Sequence, residues 1–434
     1  MSMKGLNRNV PLLTLAAALS MSINTLIAAT AALVGNNLAM DKSFATLPVA
    51  MMFAATMCTS IPAGMLMQRI GRKASFLWSS LAGIAGGALA TFAIVQHSFW
   101  LFVLATICIG VFCGFANFYR FAAADTVDVP YKGKAVSMVM VGGIVAAIVG
   151  PNLARLTRTS IEGAEFAGAY VVAVVLYGLV LLTLAFLQLG ENVGARGSLR
   201  HSRDASRRSD ATAEGANPDH RDWIPASAGM TPVQARSLSV IVAQPKYLIA
   251  LVCGLFGYCV MTFVMTATPL AMQGHAFHFD ATSSVIQWHV VAMFAPSFVT
   301  GTLIARFGVA TVMGTGAVIG IVCLGVNLAG ATYTHYLAAL MLLGLSWNFL
   351  FVGSTTLLTE TYTPAEKNKA QAFNDFIVFT AVALASLSAG ALQNRYGWEL
   401  VNVGALPLLC AALAGALWLL AHDRRSRSAG LTPA

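Results

Sequence analysis

Charge is scarce in this chain. Asp, Glu, Lys and Arg make up 10% of its 434 residues, against about 25% in a soluble domain. That scarcity excludes an ordinary water-facing surface. Acids are scarcer than bases, 17 against 26, leaving a formal charge of +9. Motifs that bind reactive groups are missing too. There is no Gly-rich phosphate loop, no His/Glu metal pair and no nucleophile elbow, so neither cofactor nor metal is expected. The cysteines at 58, 108, 113, 253, 259, 323 and 410 lie in apolar runs without redox or ligand spacing, and read as small packing residues. No clustered acid, base and nucleophile suggests an enzyme.

What the chain has is long apolar runs, with 57% of residues hydrophobic. A spanning helix needs about 20 apolar residues. Twelve runs qualify, at roughly 10–34, 46–68, 74–95, 98–122, 135–154, 168–189, 246–270, 282–304, 309–330, 334–358, 370–393 and 401–421. Open sheet edges cannot sit in lipid, so the spans are helices. Lys4 and Arg8 precede the first run like the charged start of a signal peptide. The run is too long for that, and eleven more follow, so it reads as an uncleaved first span. The expected organisation is a bundle at 1–190, a linker at 191–244, a second bundle at 245–421 and a tail at 422–434.

An even number of spans puts both termini on one side. If that side is the cytoplasm, only Lys42, Arg155, Arg158 and Arg395 among the basic residues fall outside cytoplasmic segments. This is the positive-inside asymmetry. It accounts for the basic balance without nucleic-acid binding. The linker carries Arg196, Arg200, Arg203, Arg207 and Arg208 among Ser, Asp, Gly and Pro, and its first part is expected to be disordered. Its later stretch, Asp222 to Thr231, resembles the translated product of an interspersed bacterial DNA repeat. It reads as an insertion without a transport role; a short surface helix is the alternative.

A cationic turn separates the second and third runs: Gly64-Met65-Leu66-Met67-Gln68-Arg69-Ile70-Gly71-Arg72-Lys73. A degraded copy, Gly301-Thr302-Leu303-Ile304-Ala305-Arg306-Phe307-Gly308, lies 237 residues later. Asp125-Thr126 likewise matches Glu360-Thr361, Pro130 matches Pro364, and Lys134-Ala135 matches Lys369-Ala370. Nearly constant offsets, 234 to 237 residues, in matching places indicate duplicated halves. The turn resembles the signature loop of the major facilitator superfamily, which usually has Asp where Gln68 stands. The resemblance implies an all-α membrane fold of two six-helix bundles, rocking around a central site. It also implies a monomer in the bacterial inner membrane, in contact with the lipid bilayer, with both termini cytoplasmic.

Each half offers acids and bases at neighbouring helix ends. Gln68, Arg69, Arg72 and Asp125, and then Arg306 and Glu360, form a candidate cytoplasmic latch; the alternative is that they only mark topology. In the family the missing Asp faces the start of the eleventh span. Here Asp375 lies in that span's second turn, where the helix dipole favours a negative charge. It is expected to supply the acid and to pair with Arg69 or Arg72.

Ionisable residues inside a bilayer are functional candidates by default. Arg120 offers a planar donor fork for an anionic or carbonyl-rich solute, with Asn117 on the same face and Tyr119 adjacent. Snorkelling or pairing with Asp125 is the plainer reading. His289 and Asp375 are the proton-coupling candidates, although a lone membrane histidine is more often a packing residue. Helical spacing aligns Ser20 with Asn24, Tyr258 with Thr262 and Thr266, and Asn348, beside Trp347, with Thr355. Substrate binding is therefore expected at Asn24, Asn117, Tyr119, Arg120, Tyr258, Thr262, Trp347 and Asn348, with interhelical hydrogen bonding as the alternative. The pairs Gly83/Gly86 and Gly142/Gly143 read as close helix contacts. The segment from Gly142 to Pro151 resembles the Gly-Pro motif of antiporters in the family, with Ala146 and Ala154 where Gly is common.

The stretch Asn117-Phe118-Tyr119-Arg120-Phe121-Ala122-Ala123-Ala124-Asp125-Thr126, with Asn374-Asp375-Phe376, resembles a bacterial branch that includes riboflavin importers. The expectation is a secondary transporter of a small organic solute, riboflavin or a similar flat polar aromatic, with protons as the coupling ion and passive facilitation as the alternative. A proton-coupled exporter is the rival within the class, and a non-transporting membrane receptor or assembly partner the rival outside it.

Overall fold

The computed structural model describes residues 8–127, 132–188, 236–363 and 366–428. Among these it is helical, without strands. The first half contains α1 (Asn9–Leu38), α2 (Leu47–Ile70), α3 (Arg72–Val95), α4 (Phe99–Ala116), α5 (Tyr119–Asp125), α6 (Lys132–Thr157) and α7 (Ala167–Ala185). The second contains α8 (Leu238–Val242), α9 (Pro245–Gly274), α10 (Phe279–Phe294), α11 (Ser297–Phe307), α12 (Val309–Ala329), α13 (Tyr333–Thr359) and α14 (Lys367–Ser428).

These helices make twelve crossings. Ten helical runs among the described residues are long and apolar enough to span a bilayer, with α4 and α5 forming one of them. The pair α10 and α11, bent by 42°, makes an eleventh. The run Lys369–Asp423 is 55 residues long. At 1.5 Å per residue it is more than twice the thickness of a hydrocarbon core. It breaks at Gly397 (φ 82°), so it crosses twice.

The halves repeat in their packing. In the first, α1 lies on α6, α2 on α4, and α3 on α4. In the second, α9 lies on α14, α10 on α13, and α12 on α13. The tight turns repeat as well. Gly71 and Gly308 (φ 85° and 84°) each form a one-residue connection between helices. Gly163 and Gly397 (φ 72° and 82°) occupy matching places further on. A Cβ disfavours that backbone region, so glycine is what lets a helix reverse there in one residue.

Small residues let the helices approach. A Cβ added at Gly83 would lie 2.6 Å from the Tyr177 ring, and one at Gly86 3.0 Å from the Ala105 carbonyl. Such close backbone approach is how bilayer helices gain van der Waals contact. Cys113, Cys253, Cys259 and Cys323 are buried in this packing, whereas Cys58 and Cys410 are exposed.

One expected boundary moves. Residues 236–244, expected as the end of the linker, are packed on the second half. Ile241 is fully buried. Arg236 grips the buried Glu366, with Nε to Oε1 at 2.9 Å and an Nη to Oε2 at 2.8 Å. These bonds, with the Thr363 amide, hold the Glu366 carboxyl well below the usual carboxylate range. The anchor is thus fully present above the ordinary carboxylate pKa and is lost only as pH falls further. The rest of the linker, with the stretch Asp222 to Thr231, lies outside the described residues, as do Pro130 and Pro364.

Candidate functional site

The end of the bundle where α1 begins and α14 finishes is called here the terminal end. At the opposite end the halves are sewn together. The Thr46 hydroxyl donates to the Leu387 carbonyl (3.2 Å) and accepts from the Gly390 amide (3.1 Å). Asn394 donates to the Lys42 carbonyl (2.6 Å), Ser283 to the Pro151 carbonyl (2.8 Å) and Asn152 to Gln287 (2.8 Å). Phe166 packs edge-on against Phe279, 4.9 Å between ring centres. At the terminal end, the hydrogen bonds and ion pairs between described residues stay within one half. Arg72 bridges Asp125 at 2.6 Å, and Lys246 bridges Glu360 at 3.7 Å. The segments α5 and α11, which reach toward that end, pack chiefly on their own halves. The bonds that close the interior between the halves are therefore gathered at one end, with one more, from the Thr380 hydroxyl to Met57 Sδ at 3.0 Å, midway along α2.

Arg120 reaches this interior from the first turn of α5. Its guanidinium lies over the Phe121 ring at 4.9 Å, and its Nε is buried without a hydrogen-bond partner. Asp375 of α14 belongs to the second half and lies one helical turn before Phe379, whose ring meets Tyr258 at 6.0 Å. Asp375 and Arg120 do not close into an ion pair of 4.0 Å or less. The Asp375 side chain accepts a hydrogen bond from Asn374 at 3.2 Å. Tyr258 of α9 also faces Arg120.

Around Tyr258 the second half builds an aromatic box. Its ring meets Trp347, Phe351 and Phe379 at 5.6, 5.9 and 6.0 Å. Trp347 and Phe351 stack at 4.7 Å with planes 8° apart, and Phe294 closes on Trp347 at 6.3 Å. Trp347 Nε1 and the hydroxyls of Thr262 and Thr266 are buried without a hydrogen-bond partner. Flat rings with a few unfilled polar atoms suit a planar, polar solute. Phe294, Phe351 and Phe379 were not among the expected residues. Among the chain's 24 phenylalanines, most of them in apolar runs, only the helix packing distinguishes those facing inward.

Several expected site residues lie elsewhere. Tyr119 is 1% exposed and packs edge-on against Phe76 at 4.9 Å, inside the first half. Its ring fills a core, so it presents no face to a solute. Asn348 is also 1% exposed and spends its amide on helix bonding. It donates to the Met293 carbonyl (2.7 Å) and to Ser297 (2.6 Å), and accepts from Thr300 (2.6 Å). These bonds brace the bend between α10 and α11. Asn348→Leu should therefore destabilise the fold by about 1–3 kcal/mol, the cost of stranded buried polar groups. A lowered melting temperature in detergent is the readout; an unchanged one would show that the brace is idle.

The remaining residues divide between cleft, core and surface. Asn24 accepts from the Cys113 thiol at 3.2 Å. Asn117 is exposed at the break between α4 and α5. His289 is fully buried, with Nδ1 2.7 Å from the Leu340 carbonyl. A carbonyl only accepts, so Nδ1 carries the proton and donates. Gln68, Arg69 and Arg306 are exposed at the terminal end. No ion pair among the described residues joins Asp375 to Arg69 or Arg72, because Arg72 is taken by Asp125. Glu360 pairs with Lys246 instead of Arg306. Among the described residues, no group of three or more His, Cys, Asp or Glu gathers as a metal site.

The comparisons with known proteins agree with this geometry. The family model described as the Major Facilitator Superfamily matches residues 12–295 and 250–434. The riboflavin transporter RfnT of Brucella anthropi is 37% identical over 406 residues, 94% of this chain and 94% of that one. An uncharacterised MFS-type transporter of Bacillus subtilis, YdeG, is 27% identical over 397 residues, covering 90% of this chain and 84% of its own. Among solved structures, a D-xylose–proton symporter superposes with a TM-score of 0.67 at 14% identity, covering 94% of this chain and 96% of that one. That likeness speaks to fold alone. With two repeated six-helix halves and a signature turn in each, the chain is a secondary transporter belonging to the Major Facilitator Superfamily.

Proposed function

We propose that the chain carries riboflavin, or another flat polar aromatic solute, across a bacterial inner membrane by alternating access. The observation that carries this reading is the aromatic box around Tyr258 and Trp347, standing opposite Arg120. An isoalloxazine ring would stack on the box, and its carbonyls would accept from the guanidinium. The relative that transports riboflavin supports the choice within the solute class.

On this reading the terminal end is cytoplasmic and the sealed end faces outward, so the conformation is open inward. Arg72–Asp125 and Lys246–Glu360 stiffen the inner helix ends of each half. Such exposed pairs contribute about 0–1 kcal/mol each, which tilts a balanced equilibrium without locking it. Protons are the proposed driver. Between the two coupling candidates the geometry favours Asp375, which is exposed to the cleft, over the enclosed His289. The transporter acts as a monomer, and residues 245–421 with the packed segment before them form its second bundle.

The test is uptake of labelled riboflavin by cells lacking their own importer. The wild-type chain is expected to restore uptake, and collapse of the proton gradient to remove it. No uptake from correctly inserted protein would overturn the riboflavin reading and leave the family assignment standing.

A further inference from the structure

The charges facing the aromatic box come from opposite halves: Arg120 from the first and Asp375 from the second. All four ion pairs between described residues lie elsewhere, each within a single half: Arg72–Asp125, Arg158–Glu165, Arg236–Glu366 and Lys246–Glu360. Arg120 therefore has no carboxylate bound to it, and its Nε lacks any hydrogen-bond partner. Left alone, such a cation would favour an anionic solute strongly. Asp375 cancels that preference. Its carboxylate lies one helical turn before Phe379, which meets the Tyr258 ring at 6.0 Å, and no ion pair among the described residues joins it to Arg120. The guanidinium thus keeps its donors free while the site as a whole carries one charge of each sign.

From this arrangement we infer that Asp375 is a specificity-determining residue that restricts the site to flat solutes without net charge and rejects their phosphorylated forms. The inference rests on the flat-solute reading above. A phosphate monoester carries about −1.5 to −2 charges at pH 7. Placed on riboflavin, it would gain from Arg120 and be repelled by Asp375, with its own hydration lost on entry. An uncharged ring system meets no such opposition. It uses the free guanidinium donors as hydrogen bonds and the aromatic box as a stacking surface.

Riboflavin and riboflavin 5′-phosphate differ only by the phosphate, so the ratio of their dissociation constants isolates charge selection. The full-length protein, purified in detergent, is titrated with each compound and binding is read from flavin fluorescence. The wild type is expected to bind riboflavin with a clear preference over the phosphate. Asp375→Asn keeps the side chain's shape and removes its charge. It should cut that preference at least about tenfold, by strengthening phosphate binding. Asp375→Glu retains the charge and should retain the preference. A merely structural role for Asp375 would weaken both ligands alike and leave the ratio unmoved. An unchanged ratio in Asp375→Asn, with riboflavin still bound, would overturn the inference and spare the reading it rests on. If the wild type binds neither compound, both fall. If Asp375→Asn binds neither, Asp375→Glu decides: a wild-type ratio upholds charge selection, and an altered one overturns it.

Discussion

Arg120→Ala is expected to lower riboflavin uptake, as kcat/KM, by about 10- to 100-fold while the protein reaches the membrane at its normal level. Hydrogen bonds to a charged group contribute about 1.5–3 kcal/mol each, and one or two of them would be lost. Truncation also leaves Asp375 without its attracting charge, so the cleft becomes net negative. Arg120→Lys should recover only part of the loss, because a point-charge ammonium cannot present two coplanar donors. Initial rates measured against membrane-inserted protein separate this from poor expression. Unimpaired uptake in Arg120→Ala would show that the guanidinium serves the helix end and not the solute.

Gly150→Leu should abolish folding. A Cβ there would sit 2.0 Å from Thr25 Oγ1, 2.3 Å from the Ser22 carbonyl oxygen and 2.8 Å from the Leu26 amide nitrogen. Two of the three obstacles are α1 backbone, which cannot turn aside as a flexible side chain can. Overpacking typically costs about 1–3 kcal/mol where neighbours can give; here α1 would have to separate from α6. That would also break the 2.8 Å bond from Thr25 to the Ala146 carbonyl. The expected result is loss of the monodisperse peak in size-exclusion chromatography. Gly178→Leu is the matched control, since a Cβ at that position meets nothing within 4 Å. A monodisperse Gly150→Leu protein would show that the seam between α1 and α6 is loose. The same crowding bears on the resemblance of this segment to an antiporter motif. Gly142 and Gly150 abut α1, and a Cβ added at Gly143 would lie 2.9 Å from the Phe294 ring of the second half. Close packing alone accounts for the small residues.

The fold was legible because bilayer physics writes it plainly. A span needs a long apolar run, a turn needs glycine, and duplication leaves the same turn twice. Gly71 and Gly308 carried that signal, and both turn out to have the left-handed backbone that makes glycine necessary. The residues of the proposed site were legible where polarity or an aromatic hydroxyl interrupted a run, as at Arg120 and Tyr258. The same rule misled at Asn348 and Tyr119. Polarity inside a span marks either a solute contact or a helix contact, and spacing along one helix cannot separate the two. Asn348 faces α10 and α11; Tyr119 faces Phe76. Phe351 and Phe379 escaped for the opposite reason. Their side chains look like any lipid-facing residue until the neighbouring helices are in place.

The one-residue connections have a mechanical meaning. With Gly71 alone between them, α2 and α3 share a corner at the terminal end, where the proposed alternating access would swing them as a joined lever. The same holds for α11 and α12 through Gly308. Compliance must then reside inside the helices. Two interruptions are already present: at Asn117 and Phe118 between α4 and α5, and at Ala295 and Pro296, where α10 turns into α11 by 42°. The first carries Arg120 just beyond it; the second adjoins Phe294, at the edge of the aromatic box. Under the proposed alternating access, a stroke that flexes these joints would re-aim the solute's contacts in the same movement that changes which side of the membrane they face.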